Sequence, residues 1–467
     1  MINMKPIELN KIYEIKINNL NSEGQGVGRI DNFTIFVEGA LPGEIVKTKI
    51  IEVKKNYAVG SLIEILQRSN DRINPLCKLF TNSELKNHSA FRITHSELSC
   101  GGCQLQHLSY QAQLKWKRQQ VVDALERIGK INVEVLETIG MIDPLHYRNK
   151  MQFPIARSKN KISIGCYAKS SHKVIDTDSC LIQKSANDEI LQAVRRVVEK
   201  FNVSIYDEDE HHGVLRHVMG RVGDNETMLV LVTATENLPN EKSIVRALRN
   251  ELPNITSIQQ NIQPQHNNVI LGRETKILYG KRTIKDKIKN FNFNISARSF
   301  FQVNTSQAEK LYQKVLEFAE LQGDEIVVDA YCGTGTISLF LARHARKVYG
   351  LEIVSSAIAD AKLNARLNNI RNAEFRIGDA VIMLPKLGIR PDVIVLDPPR
   401  AGCDEKILLT IAKLKPKKII YVSCNPATLA RDLKILTENN FTTKIIQPVD
   451  MFPFTTHIES VALLKLN

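Results

Sequence analysis

From residue 324 onward, short apolar runs alternate with helix-length amphipathic segments, and that alternation leaves few folds open. Runs at 325–330, 347–351, 374–377, 392–396 and 417–423 read as strands separated by helices. Such alternation specifies a doubly wound parallel sheet, since each helical crossover brings the chain back in the same direction. Two closely spaced runs, 443–448 and 460–465, then predict an antiparallel hairpin at one edge. Open sheets of this kind bind ligands beyond the carboxyl ends of their strands.

The residues at those ends carry chemistry. The turn Asp329-Ala-Tyr-Cys-Gly-Thr-Gly335 follows the first of these strands and opens a helix, and a glycine turn there lets the backbone come close to a bound nucleotide-like ligand. Glu352 ends the next strand, where a carboxylate can accept both hydroxyls of a ribose. Asp379 ends the third strand and is placed to meet an adenine amino group. The glycine turn is shorter than a dinucleotide fingerprint and suits a nucleoside ligand without a pyrophosphate, such as S-adenosylmethionine. Asp397-Pro-Pro-Arg400 ends the fourth strand, and the fifth delivers Cys424 in Val422-Ser-Cys-Asn-Pro426.

A thiol beside a methyl donor solves a specific problem. Carbon 5 of a pyrimidine is a poor nucleophile, but thiolate addition at carbon 6 makes it enolate-like. A base must then remove the carbon 5 proton before the thiol can leave. If the last strand runs antiparallel, Glu459 in His457-Ile-Glu-Ser460 starts on the same edge as Cys424 and Asp397. Glu459 is therefore the preferred base, with His457 as the alternative. The competing reading of Cys424 is a small buried hydrophobe.

Upstream the signals differ. Short strands at 13–17, 33–37, 45–53 and 58–66, broken by Gly24-Gln-Gly-Val-Gly28 and Leu41-Pro-Gly-Glu44, predict a small barrel of the oligonucleotide-binding type. The glycine series is followed by more strand and not by a helix, so it reads as a β-bend rather than a cofactor loop. A helix is expected over 109–129. Between 134 and 283 strands at 151–156, 162–167 and 227–233 mix with helices at 189–200 and 242–252, an α+β pattern. The expected domains are a barrel over 1–66, a central α+β domain over 67–290 and the doubly wound domain over 291–467.

The formal charge of +13 favours a polyanionic partner. Lys47, Lys49, Lys54, Lys55, Arg68 and Arg72 are the barrel-side candidates for phosphate contacts. No apolar run reaches the roughly eighteen residues of a membrane span. Eight cysteines without a secretory signal point to metal or catalysis and to the cytoplasm. Cys100-Gly-Gly-Cys103, with Cys77 before it and Cys180 after it, is a four-thiol set for zinc or iron–sulfur; spacing does not choose between them. Cys166, read as lying inside a strand, Cys332 and Cys403 are expected to be structural.

Taken together, Ser299-Phe-Phe-Gln-Val-Asn304, the Asp329–Gly335 turn, Asp397-Pro-Pro-Arg400, Ser423-Cys-Asn-Pro-Ala-Thr-Leu-Ala-Arg431 and His457-Ile-Glu-Ser460 resemble the RNA uracil-5-methyltransferase family nearly end to end. The resemblance implies Cys424 as nucleophile and Glu459 as base, with Gln302, Tyr331, Glu352 and Asp397 at the S-adenosylmethionine pocket. It implies a TRAM domain for the barrel, and a [4Fe–4S] cluster on Cys77, Cys100, Cys103 and Cys180. The gap between Cys77 and Cys100 is longer than the family's, which puts Cys77 most in doubt. Phe300 and Phe301 become candidates to stack on a uracil extruded from its helix. The implied substrate is a loop uridine of structured 23S ribosomal RNA, acted on by a monomer. Transfer RNA is the alternative, and a non-catalytic iron–sulfur RNA-binding factor a more distant one.

Overall fold

The computed structural model describes residues 7–80, 99–158 and 161–467. The chain divides into two compact units: Met1–Trp116 with Cys166–Ile175 and Phe452–Thr456, and Lys117–Gly165 with Asp176–Met451 and His457–Asn467.

In the first unit, strands Ile12–Leu20, Gly26–Ile30, Phe33–Val37, Ile45–Val53 and Tyr57–Gln67 close into a five-stranded barrel. Alternating side chains fill it, with Ile15, Ile17, Ile35, Val37, Val46, Ile50, Ala58 and Leu62 buried. The glycine series is strand and not ligand loop. A Cβ on Gly28 would lie 2.2 Å from the Ile15 side chain and 2.8 Å from the Lys16 carbonyl oxygen, so only glycine lets the strands pack there. Within Leu41-Pro-Gly-Glu44, the Glu44 carboxylate is fully buried. It accepts the Leu41 amide at 2.8 Å and is gripped by Arg72 through Nε and a second guanidinium nitrogen. Arg72 is thus a structural cation, which corrects its expected place among the phosphate contacts.

The second unit holds two large sheets. The central one runs in the order Glu274–Gly280, Ser257–Ile262, Thr227–Thr233, Leu215–Val222, Lys150–Ser158, Lys161–Ile164. Its expected helices are present as Ser185–Lys200 and Glu241–Glu251. The sequence reading missed Ser257–Ile262 because Ser-Ile-Gln-Gln-Asn-Ile shows no apolar alternation, yet all six residues are buried. Their amides replace water with backbone: Gln259 donates to the Lys281 and Arg282 carbonyls, Gln260 to Thr235 and Glu236, Asn261 to Gly272 and Glu274. The strand expected at 162–167 ends at Ile164, so Cys166 lies outside it, in the first unit, a second correction.

The other sheet has eight strands in the order Ala373–Ile377, Lys347–Glu352, Ile326–Asp329, Val393–Leu396, Lys418–Ser423, Glu459–Leu466, Phe441–Val449, Glu134–Val135. The first five are parallel, and Glu459–Leu466 pairs antiparallel with both of its neighbours. The hairpin is not the edge, because Glu134–Val135 adds a short parallel strand beyond it. Strands buried on both faces explain the near-continuous apolar runs such as Val-Ile-Val-Leu at 393–396. Side-chain caps fix where the following helices begin: Asp379 accepts the Val381 amide, Asp404 that of Lys406, and Asn425 that of Ala427, with Pro426 in the first turn. A fully buried ion pair, Lys117 to Asp450 at 2.6 Å, anchors the end of the penultimate strand.

Candidate active site

Register brings the thiol and its candidate base together. In the antiparallel pair, Tyr421 opposes Ala462, Val422 opposes Val461 and Ser423 opposes Ser460. Cys424 follows Ser423 where that strand ends, and Glu459 precedes Ser460 at the start of its own. Asp397 leaves the neighbouring parallel strand, one step beyond Leu396, which pairs with Tyr421. The Asp397-Pro-Pro-Arg400 loop is pinned to the helix that starts behind Cys424. Asn425 and Thr428 donate to the Arg400 carbonyl, and Arg431 donates to the Ala401 and Cys403 carbonyls. Asp432 in turn accepts the Cys403 amide and the Tyr421 hydroxyl. The Ser423–Arg431 motif is therefore a brace that holds the thiol and the carboxylate loop in one frame.

Electrostatics agree with that proximity. Burial pushes the Cys424 thiol up to about 11, and the negative Glu459 and Asp397 add to the shift while Arg400 opposes it. Glu459, only 8% exposed, is raised well above the ordinary carboxylate range by burial first and by Asp397 second. Burial, with Asp329 behind it, pushes Asp397 up to about 7 although part of its surface stays exposed. His457 is shifted down by burial and then by the positive Arg400, Lys117 and Arg148.

One member was missed from the sequence. Tyr312, fully buried on the helix Thr305–Ala319, bonds Thr336 at 3.3 Å. Its hydroxyl also hydrogen-bonds Gln302 and feels the charges of Asp397 and Glu459. At an apolar helical position a tyrosine is indistinguishable from core, so no sequence signal marked it. Gln302 is 8% exposed, and its carbonyl accepts from Asn149 at 3.0 Å. The two phenylalanines before it part company: Phe301 is 4% exposed and packs on Phe293, whereas Phe300 is 73% exposed.

The glycine turn fits a nucleoside cofactor. Gly333 and Gly335 have φ of 51° and 83°, and a Cβ on Gly333 would meet nothing within 4 Å, so the backbone there is open to a ligand. Glu352 accepts the Gly333 amide at 3.3 Å and the Val354 amide at 2.9 Å, which holds its carboxylate at the rim of that opening. Asp379 is exposed, with one oxygen used on the helix cap. Tyr331, half-buried, hydrogen-bonds Cys403.

The expected thiol set is less compact. Among the described residues, no three His, Cys, Asp or Glu side chains come together as a metal site. Cys77, Cys100 and Cys103, in the first unit, form none among themselves, and Cys180 belongs to the second unit; no reaction step depends on a cluster. Residues 81–98, most of the long spacer after Cys77, lie outside the described residues. Within the first unit the Cys100 thiol is lowered to about 7, chiefly by a hydrogen bond from Cys166, against the effect of burial. Both sulfurs would lie 3.4 Å from a Cβ on Gly102. Cys166 is a partner of Cys100 rather than the isolated structural thiol expected. Cys332 and Cys403 are buried, as expected.

A doubly wound sheet with an open glycine turn, a strand-end carboxylate and a thiol beside a buried acid defines a nucleoside-dependent group-transfer enzyme carrying a separate small barrel. Comparison with known proteins is more specific. Residues 7–63 match the TRAM domain, and residues 109–379 and 386–467 match the tRNA (uracil-5-)-methyltransferase family. A Clostridium tetani protein described as an uncharacterized RNA methyltransferase is 50% identical over 464 residues, which span 98% of this chain and 97% of that one. A counterpart of the same description from Halalkalibacterium halodurans is 48% identical over 99% of this chain and 98% of its own. The solved structure of Pyrococcus abyssi tRNA (uracil-54, C5)-methyltransferase in complex with S-adenosyl-L-homocysteine matches with a TM-score of 0.76 and 28% identity, covering 97% of this chain and 99% of that one. The chain belongs to the tRNA (uracil-5-)-methyltransferase family and is an S-adenosylmethionine-dependent RNA methyltransferase. No helix among the described residues is long and apolar enough to cross a membrane.

Proposed function

We propose that this enzyme methylates carbon 5 of a loop uridine in 23S ribosomal RNA through a covalent bond between Cys424 and carbon 6. The observation that carries the reading is that Cys424 and Glu459 adjoin the last bonded pair of one ladder, Ser423 and Ser460, with the Glu459 charge acting on the thiol. The Cys424 thiol gives its proton to solvent and adds as the thiolate to carbon 6, and the ring's π electrons shift toward the carbon 4 carbonyl oxygen. S-adenosylmethionine supplies an electrophilic methyl on a sulfonium, which carbon 5 takes as S-adenosylhomocysteine leaves. Glu459 then removes the carbon 5 proton, and the carbon 6–sulfur bond breaks to release the thiolate and restore the ring. Its raised pKa, set by burial first and Asp397 second, makes Glu459 a stronger base than an exposed carboxylate.

Gln302, Tyr331, Glu352, Asp379 and Asp397 would hold the cofactor, and Tyr312 would orient the Gln302 amide. Phe300, exposed beside Gln302, is the stacking partner that fits an extruded base; Phe301 is core. A monomer acting in the cytoplasm belongs to the same proposal. A [4Fe–4S] cluster on Cys77, Cys100, Cys103 and Cys180 belongs to the same proposal through the family resemblance; the Cys-Gly-Gly-Cys spacing and the lowered Cys100 pKa suit a thiolate metal ligand of either kind.

Transfer RNA is the second reading, and one observation favours it: the Pyrococcus abyssi protein named for tRNA matches nearly the whole of this chain. Incubation with labelled S-adenosylmethionine and either 23S or transfer RNA, followed by mapping of the methylated base, decides between them. Label at carbon 5 of a 23S uridine is expected. Label confined to transfer RNA replaces the substrate, and label on no RNA uridine rejects the reading.

A further inference from the structure

Among the described residues, three cations stand around the mouth of this site without a carboxylate to pair with. Arg148 and Lys150 flank Asn149 at the start of the Lys150–Ser158 strand, and Lys150 pairs in register with Arg221 of Leu215–Val222. Asn149 ties them to the cofactor segment. Its amide donates to the Val303 carbonyl at 2.8 Å and its side chain to that of Gln302 at 3.0 Å. Arg221 donates to the Ser299 carbonyl at 2.6 Å, on the other side of Phe300.

The remaining member comes from the loop beside the thiol. Arg400 is exposed and acts on both Cys424 and His457, and Arg148 acts on His457 as well. The Arg148 Nε is used on the Lys150 carbonyl at 3.0 Å. Among the described residues, Arg148, Lys150 and Arg400 enter no ion pair, although surface lysines such as Lys169 and Lys276 do. Lys150 is pushed down to about 8 by burial and then by its neighbours Arg221 and Arg148. Like charges held close and partly desolvated are costly unless an anion completes the site.

We infer that Arg148, Lys150 and Arg400 form a phosphate seat that grips the RNA backbone on either side of the target uridine and presents its base to Cys424. The inference rests on the proposed RNA methylation and adds the residues that position the strand. An exposed Phe300 within this group supplies the apolar surface for a base, while the cations take the charge of its phosphates. Guanidinium groups at two of the three positions suit phosphate forks.

The test compares wild type with Arg148→Gln, Lys150→Gln, Arg400→Gln and Lys150→Arg in the full-length protein. The affinity of a substrate RNA oligonucleotide is measured over a range of salt, with S-adenosylhomocysteine affinity as the check that the fold is kept. Each glutamine variant should weaken RNA binding several-fold at low salt and reduce the slope of log affinity against log salt by about 0.7. S-adenosylhomocysteine affinity should not change, and Lys150→Arg should keep the wild-type slope. Wild-type slopes in all the glutamine variants would overturn the inference, as would a loss in Lys150→Arg equal to that in Lys150→Gln. If instead wild type binds the RNA but transfers methyl to no uridine, the parent reading fails while the slopes still report on the seat.

Discussion

Cys424 follows and Glu459 precedes the last bonded pair of one antiparallel ladder, Ser423 and Ser460, and the charge of Glu459 acts on the thiol. The thiol that would add to a ring and the carboxylate that would strip its proton thus each adjoin a residue held by backbone pairing. The antiparallel strand inserted next to the fifth parallel strand is what makes this possible, since a parallel strand would begin at the opposite edge.

Burial of three acids in this pocket sets a pH dependence of stability. Asp397 titrates at about 7 when folded, against an ordinary value of 3.8. A raised folded pKa contributes stability that is fully present below the unfolded value and lost as pH rises through the folded one. Ligand-free wild type should therefore lose thermal stability between about pH 4 and about pH 7, and Asp397→Asn should lose less over the same range. Equal losses in the two melting series would contradict the raised carboxyl.

The Lys117–Asp450 pair is fully buried on both sides. Removing one partner leaves the other charge stranded, at a cost of about 3–5 kcal/mol. Lys117→Met should lower the unfolding free energy by that order in denaturant titration, and Lys117→Met with Asp450→Leu should recover much of it. A double variant as unstable as the single one would show that packing, and not the unpaired charge, is responsible.

For the thiol set, protein purified without oxygen should contain iron and sulfide, with loss of both in Cys100→Ser and Cys103→Ser. Stoichiometric zinc without iron would assign a different metal. Cys166→Ser tests its contact with Cys100: it should raise the Cys100 thiol pKa in metal-free protein, read by the rate of alkylation against pH, because the hydrogen bond that lowers it is removed.

On the barrel, Lys49 and Lys55 are exposed and enter no ion pair among the described residues, whereas Lys47 pairs with Glu64 and Lys54 with Glu52. Lys49→Gln with Lys55→Gln should lower the salt slope of RNA binding by about 0.7 for each of the two lysines that neutralises a phosphate. The same change at Lys47 should do less. An unchanged slope in the double variant would leave the barrel a role other than phosphate binding.

What the sequence disclosed and what it hid follow one physical line. The parallel strands, the glycine turn, Cys424 and Glu459 were legible because strand ends in such a sheet converge by topology alone, so a motif at an end is already a position. Tyr312 was hidden because its polar tip is defined only by what the fold places beside it. Ser257–Ile262 was hidden because its polar side chains are satisfied by distant carbonyls. Arg72 looked like a phosphate ligand until the fold paired it with Glu44. Arg148 and Lys150 lay in a stretch whose chemistry emerges only where Asn149 meets the Gln302 segment.

The central claim is the covalent role of Cys424 with Glu459 as base, and the most direct measurement is mass analysis of Glu459→Gln after incubation with RNA and S-adenosylmethionine. Methyl transfer should proceed and release should stall, leaving methylated RNA attached to the peptide that contains Cys424; Cys424→Ala should form no adduct and transfer no methyl while still binding S-adenosylhomocysteine. Absence of any adduct on Cys424, together with near-normal turnover by Cys424→Ala, would contradict the account.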